Sequence, residues 1–101
     1  MSNLDYILGR NATGYSFLTG VGSKTPQHPH HRQSVADGIP EPVPGLLAGG
    51  PNPGMQDHSH YDFTEPETAY TDVDDSYASN EIAINWNAPL VYLANAIENL
   101  Y

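Results

Sequence analysis

The sequence contains no cysteine, only three basic residues against twelve acidic ones, and no long apolar run. The absence of cysteine excludes disulfide scaffolds, cysteine-ligated zinc sites and cysteine nucleophiles. The formal net charge of -9 argues against a nucleic-acid partner, because phosphate contacts need lysine and arginine. No segment approaches the roughly 20 apolar residues of a membrane span, so we expect no membrane partner.

Large aliphatic side chains are also scarce. Leu, Ile, Val and Phe supply 20 of the 101 residues, near the limit below which chains tend not to fold alone. Residues 1–10 do not resemble a signal peptide, because they contain Asp5 and lack a basic start and a long apolar core. We expect a chain of this size and composition to be part of something larger, either a fragment of a domain or one chain of an obligate assembly.

The apolar residues that are present concentrate at the two ends of the chain. Near the N-terminus they recur at helical spacing and predict a short helix at about residues 1–9, carried by Leu4, Ile7 and Leu8. We expect Gly9 and Asn11 to end this helix, because both residues tolerate a left-handed backbone.

A second helix is predicted at about residues 87–100. Asn87 is a suitable N-cap, and Pro89 would fall in the first turn, where a missing N–H costs little. The preceding segment 82–86 is apolar on nearly all sides and is expected to be buried. The apolar face of the helix is formed by Leu90, Leu93, Ala94, Ile97 and Tyr101.

Between the helices, residues 20–80 hold eight of the nine prolines and show no sustained period. A connection of this length is usually either functional or disordered. The segment is varied in composition and contains several aromatic residues, which a solvated linker does not need. These features favour a functional loop region.

The first candidate site is the histidine-rich segment 27–32. Pro29 favours an extended backbone at His28, so His28 and His30 are expected to point the same way. A zinc site with Asp57, His58 and His60 is the weakest interpretation, because structural zinc prefers cysteine or helical histidine spacing. A solvated surface turn is a second interpretation. We favour a ligand-binding loop in which His30 and Arg32 offer hydrogen-bond donors to oxygen atoms.

The second candidate site is acidic and contains Asp72, Asp74, Asp75 and Glu81. Repulsion among these groups favours keeping one of them protonated, and Glu81 adjoins an apolar segment that would desolvate it. Such a pairing of acid and base is one way to perform catalysis. A solvated acidic loop before a helix is the alternative. A calcium loop matches poorly, because Tyr77 stands where glycine is required.

Two groups of residues resemble the signatures of family 9 glycoside hydrolases. Ser16 to Lys24, followed by Pro29-His30-His31-Arg32, resembles the first signature. The second signature is matched at the expected spacings by Tyr70-x-Asp72, Tyr77, Glu81-x-Ala83 and Asn87-Ala88. The resemblance covers essentially the whole chain.

This resemblance implies an all-α fold, namely an (α/α)6 barrel of about twelve helices. Residues 1–101 would be the C-terminal fragment of one catalytic domain and not a complete independent domain. The fragment would contribute two helices, at about 1–9 and 87–100, joined by long active-site loops. The resemblance also implies a secreted, extracellular enzyme.

The implied activity is hydrolysis of internal β-1,4-glucosidic bonds in cellulose or related β-glucans with inversion. By resemblance, Glu81 is the general acid, and His30 and Asp72 are the other signature active-site residues. Arg32 is expected to bind sugar hydroxyls, and Tyr77 is expected to contact the substrate. The implied partners are a β-glucan and the remainder of the catalytic domain. No cofactor is required, although the family allows a calcium site in the full-length enzyme; no metal ligand is identified in this chain.

Inversion also needs a second carboxylate, roughly 6.5–9.5 Å from the acid, with room for a water molecule between them. By resemblance this base belongs to an Asp-Ala-Gly-Asp motif near the start of the barrel, and the motif does not occur in this sequence. We therefore expect the isolated chain to be inactive. The alternative is a non-catalytic, loop-rich acidic segment that binds carbohydrate or a protein partner.

Overall fold

The computed structural model describes residues 2–100, in which long connections join three helices. Helix α1 is Ser2–Ile7, α2 is Arg32–Ala36 and α3 is Ile84–Leu100. No β-strand forms within these residues, and three isolated β-bridges pair the connecting segments. Met1, part of the first predicted helix, and Tyr101, part of the predicted apolar face, lie outside the described residues.

Helix α1 confirms the predicted N-terminal helix but ends earlier, at Ile7. Gly9 has a φ of 124°, which favours glycine and turns the chain away from the helix. Asn11 acts differently from the prediction, because its backbone is not left-handed. Its side-chain Nδ2 instead donates to the carbonyl oxygens of Tyr6, at 2.7 Å, and Tyr15, at 2.8 Å. The end of α1 is thereby tied to the following loop.

Helix α3 begins at Ile84, three residues before the predicted start. The prediction that Asn87 is the N-cap was wrong, since Asn87 lies inside the first turn. Its Oδ1 accepts from the Leu47 N–H at 2.8 Å, and its Nδ2 donates to the Ala83 carbonyl at 2.8 Å. Pro89 also lies inside the helix and not in its first turn. Tertiary contacts of Asn87 therefore set the helix start, and local capping preference does not.

The short helix α2 was not predicted. Its N-cap is His31, whose Nδ1 accepts from the Ser34 N–H at 3.3 Å and from the Ser34 hydroxyl at 2.8 Å. The same buried hydroxyl accepts from the Val43 N–H at 3.1 Å. A five-residue helix has no detectable period, and histidine is not among the preferred N-cap residues.

The interior of the connecting region is small and largely polar. Its aromatic centre is Tyr70, whose ring centroid lies 4.9 Å from that of Tyr15 and 5.1 Å from that of Phe17. The buried apolar residues are Phe17, Ala48, Ala69 and Tyr70, and the buried polar ones are Ser16, Thr19, Ser34, Ser76, Ser79 and Asn80. These loops are therefore held in place more by hydrogen bonds than by the burial of apolar side chains.

Helix α3 has no buried residue, although it is rich in apolar side chains. The prediction that segment 82–86 is buried was wrong, since none of its residues is buried and Ile84 is 87% exposed. Val91, Tyr92 and Leu100 are also exposed. This part of the apolar surface of α3 thus points away from the described part of the chain, whereas Trp86, Leu90 and Leu93 line a groove with Ile7 and Leu47.

Within residues 2–100, no helix has both the length and the apolar character needed to span a bilayer.

Candidate active site

The two candidate sites of the sequence meet in the structure. His30 and Glu81 form a parallel β-bridge, and the His30 N–H donates to the Asn80 carbonyl at 2.8 Å. On its other side, the Glu81 carbonyl accepts from the Gly49 N–H at 3.1 Å. The backbone of Glu81 is therefore held between the histidine-rich segment and the segment around Gly49.

Asp72 connects the acidic segment, residues 72–81, to the histidine-rich segment, residues 27–32. Its Oδ2 accepts from the Gln27 N–H at 2.6 Å, and its Oδ1 accepts from the His28 N–H at 2.8 Å. Charge-assisted hydrogen bonds of this kind are among the stronger ones in proteins. Asp72 thus fixes the backbone that leads directly into His30.

Asn80 lies at the centre of this connection and was not singled out from the sequence. Its side chain is fully buried. Its Nδ2 donates to the His28 carbonyl at 2.8 Å and to Asp72 Oδ1 at 3.1 Å, while its Oδ1 accepts from the Tyr70 hydroxyl. Burial, and next the charge of Asp72, raise the pKa of Tyr70 strongly, so its hydroxyl remains protonated and donates. The only signal for Asn80 in the sequence was its position beside Glu81.

The hydrogen bonds of His30 define the state of its imidazole ring. Nδ1 lies 2.6 Å from the carbonyl oxygen of Asp74, and a carbonyl can only accept, so Nδ1 carries a proton. This arrangement leaves Nε2 for an external partner. The ring also lies edge-on to Tyr77, with 6.3 Å between the centroids. His30 is therefore oriented on two sides by the acidic segment.

Arg32 stands at the start of α2, beside an open groove of about 400 Å³. His30, Asp74 and Asp75 also line this groove. Arg32 is exposed, and it makes no side-chain hydrogen bond within residues 2–100. The groove thus presents a guanidinium group and an imidazole to a molecule that would enter it.

Glu81 itself is only partly exposed. Within the described part of the chain, its carboxylate takes part in no hydrogen bond or ion pair. A carboxyl group without an internal partner is available to a ligand. The five predicted site residues, His30, Arg32, Asp72, Tyr77 and Glu81, are thus linked through direct contacts, shared segments or the groove.

The structure gives no support to the zinc interpretation of the histidine residues. No group of three or more His, Asp or Glu side chains in residues 2–100 is placed to hold a metal ion. Asp57, which was considered as a ligand, instead accepts hydrogen bonds from Ser76 and from the Ala78 N–H.

Comparison with known proteins identifies the family. The model of glycosyl hydrolase family 9 matches residues 1–94. This chain therefore belongs to glycosyl hydrolase family 9, as its signatures indicated.

Individual relatives cover the chain almost completely. The xyloglucan-specific endo-β-1,4-glucanase of Bacteroides ovatus is 59% identical over 98 residues, covering 97% of this chain and 17% of that protein. A solved Bacteroides ovatus GH9 structure has a TM-score of 0.84 at 54% identity and covers 97% of this chain and 16% of its own. The structure of AaCel9A in complex with cellobiose-like isofagomine has a TM-score of 0.85 at 43% identity, with coverages of 91% and 18%. The chain thus spans less than a fifth of the length of these relatives.

Proposed function

We propose that this chain is part of a glycoside hydrolase that cleaves internal β-1,4-glucosidic bonds with inversion, and that it supplies the general acid. The observation that carries this proposal is the pairing of His30 with Glu81, which joins the two family signatures at one place. The match to family 9 over residues 1–94 supports the same reaction class.

We assign each site residue a role from its contacts. Glu81 protonates the oxygen of the leaving sugar, and its carboxylate has no competing partner within residues 2–100. His30, with Nδ1 held by Asp74, turns Nε2 toward a sugar hydroxyl. Arg32 offers donors along the groove, and Tyr77 supports the His30 ring and contacts the sugar. Asp72 acts through the backbone of Gln27 and His28, and we assign it a positioning role.

The rest of the site lies outside these residues in our proposal. The sequence lacks the Asp-Ala-Gly-Asp motif that carries the base in this family. We infer that further helices complete an (α/α)6 barrel and cover α3, whose Tyr92 is 78% exposed. The small share of the relatives that this chain spans supports this inference.

The proposed substrate is a β-glucan chain. The Bacteroides ovatus relative is a xyloglucan-specific endo-β-1,4-glucanase, and AaCel9A was solved in complex with cellobiose-like isofagomine. We propose that the complete enzyme is secreted, acts on extracellular polysaccharide and needs no cofactor for the reaction. The family allows a calcium ion in the complete enzyme, and no group of three or more His, Asp or Glu side chains within residues 2–100 is placed to hold one.

The experiment is a segment exchange. In the exchange chimera, this chain replaces the aligned segment of the Bacteroides ovatus xyloglucan-specific endo-β-1,4-glucanase, with which it shares 59% identity. We expect the chimera to hydrolyse xyloglucan and to release the α anomer first, as NMR of early product would detect. We expect no turnover from the isolated chain. A folded but inactive chimera, early β product, or glucanase activity in the isolated chain would overturn the proposal.

The alternative function is that of a non-catalytic acidic segment that binds carbohydrate or a protein partner. No contact among the described residues favours it over the enzyme. An inactive chimera that still bound glucan would support this alternative.

A further inference from the structure

A second polar network lies behind the acidic segment, apart from the groove of His30 and Arg32. It joins residues 52–61, which we call the supporting loop, to residues 76–79, which directly precede Asn80 and Glu81. Every one of the four residues 76–79 accepts a hydrogen bond from the supporting loop or donates one to it. Such concentration on a single four-residue stretch suggests a specific role for the loop.

The centre of this network is the carboxylate of Asp57. Its Oδ2 accepts from the Ser76 hydroxyl at 2.7 Å and from the Ala78 N–H at 2.9 Å. Its Oδ1 accepts from the Ser59 N–H at 3.1 Å. Partial burial alone would raise the pKa of Asp57, but these hydrogen bonds and one from Tyr61 outweigh it and lower the pKa. The group is therefore an ionised acceptor with its donors already in place.

Hydrogen bonds of three further side chains, Asn52, Tyr61 and Tyr77, reinforce the same stretch. The Tyr61 hydroxyl lies 3.0 Å from the Ser76 hydroxyl and 3.2 Å from the Ser79 hydroxyl, and it also donates to Asp57. Asn52 Nδ2 donates to the Ala78 carbonyl at 3.1 Å. The Tyr77 hydroxyl donates to the backbone carbonyl of Gln56 at 2.9 Å. The supporting loop thus holds both backbone and side chains of the acidic segment.

The backbone of the supporting loop is itself unusual. Met55 and His58 have φ values of 46° and 57°, and they are the only non-glycine residues of the described chain with positive φ. Such conformations cost free energy and persist where the surroundings determine them. They lie on either side of Asp57. The loop therefore keeps a strained backbone in the arrangement that directs the Asp57 carboxylate toward Ser76 and Ala78.

We propose that Asp57 is a positioning residue for the general acid: it fixes residues 76–79 and thereby the position of the Glu81 carboxyl against the glycosidic oxygen. This inference rests on the proposed function of Glu81. Asp57 touches neither substrate nor the reacting atoms, so its effect should appear only where precise proton donation matters.

The test compares two substrates in the exchange chimera carrying Asp57→Asn. Asparagine cannot replace the carboxylate, because its NH₂ group must face either the Ala78 N–H or the Ser59 N–H. We expect kcat on a xyloglucan oligosaccharide to fall about 10-fold or more with little change in KM. On a 2,4-dinitrophenyl β-cellobioside, whose leaving group departs without a proton, we expect kcat to stay within about 2-fold.

Asp62→Asn is the matched control, because Asp62 is an exposed aspartate near Asp57 whose carboxylate, within residues 2–100, bonds to His60 and to no residue of 76–79. It should leave both substrates unaffected. Tyr61→Phe is a milder second variant that removes one hydroxyl from the network and should show the same selective loss to a smaller degree. Equal losses on both substrates, or no loss on either, would overturn the proposal. An inactive unmodified chimera would instead refute the proposed function.

Discussion

At the scale of single residues, the site depends on one buried amide as much as on the groups that would do chemistry. Asn80 joins the carbonyl of His28, the carboxylate of Asp72 and the hydroxyl of Tyr70. If the Asn80 amide were removed, each of these polar partners would lose the hydrogen bond that it makes with Asn80. Buried polar groups in such networks are costly to leave unpaired.

We predict that Asn80→Ala in the exchange chimera lowers the free energy of unfolding by about 1–3 kcal/mol, because the buried Tyr70 hydroxyl is left without its acceptor. Denaturant titration followed by tryptophan fluorescence measures this. The double variant Asn80→Ala with Tyr70→Phe should recover part of the loss. No loss in the single variant would mean that water replaces the amide at no cost.

Asp57 gives a prediction on pH. Its pKa is lowered in the folded state, so its contribution to stability is present above the unfolded value near 4 and is lost as pH falls through the folded pKa. The difference in unfolding free energy between the chimera and its Asp57→Asn variant should therefore be largest near pH 6 and shrink toward pH 3. Thermal unfolding at both pH values measures it.

Residue identity alone was enough to propose part of the candidate site. His30, Asp72, Tyr77 and Glu81 stood in recognisable signatures, and the structure links them. Asp57 was considered only as a metal ligand, because nothing local in the sequence reveals that its partners are Ser76 and Ala78. Long-range hydrogen bonds between irregular loops leave no period in the sequence.

At the scale of elements, the start of α3 is determined by a contact with a distant loop. Asn87 bonds to both the N–H and the carbonyl of Leu47, at 2.8 and 3.3 Å. The neighbouring Ala48 pairs with Ile82 just before the helix. The helix end and the loop that flanks Glu81 are therefore one structural unit, and for this reason local capping signals misplaced the helix start.

We predict that Asn87→Ala destabilises the exchange chimera by about 1–3 kcal/mol, because the Leu47 N–H loses its acceptor. Asn95→Ala on the same helix is the control, since within residues 2–100 its side chain donates to the Val91 carbonyl of the same helix and to no distant loop. Thermal unfolding of both variants measures the difference. A similar effect from the two substitutions would show that the contact with Leu47 contributes little.

At the scale of the whole molecule, the loops are compact while one side of the longest helix is exposed. The radius of gyration is 13.3 Å, close to the roughly 13 Å typical of a 100-residue domain. Yet Ile84, Val91, Tyr92 and Leu100 expose apolar surface along α3. Compact loops beside a helix with exposed apolar surface are expected of a segment of a larger helical domain when that segment is isolated.

We predict that the isolated chain binds a hydrophobic dye and self-associates with rising concentration, because the apolar surface of α3 is exposed. Sedimentation velocity and dye fluorescence measure this. Replacing Ile84 and Tyr92 with serine should reduce both effects. In the exchange chimera neither effect should occur, and persistence of dye binding there would contradict the proposed packing of α3 inside the barrel.

The most direct test of the central claim is Glu81→Gln in the exchange chimera, with Glu67→Gln, an exposed residue, as the matched control. If Glu81 is the general acid, its variant should lose about 10²–10⁴-fold in kcat on a xyloglucan oligosaccharide while still binding it. It should retain most of its activity on the 2,4-dinitrophenyl glycoside, and the Glu67→Gln variant should retain activity on both substrates. Near-full activity of Glu81→Gln on the oligosaccharide would contradict the assignment.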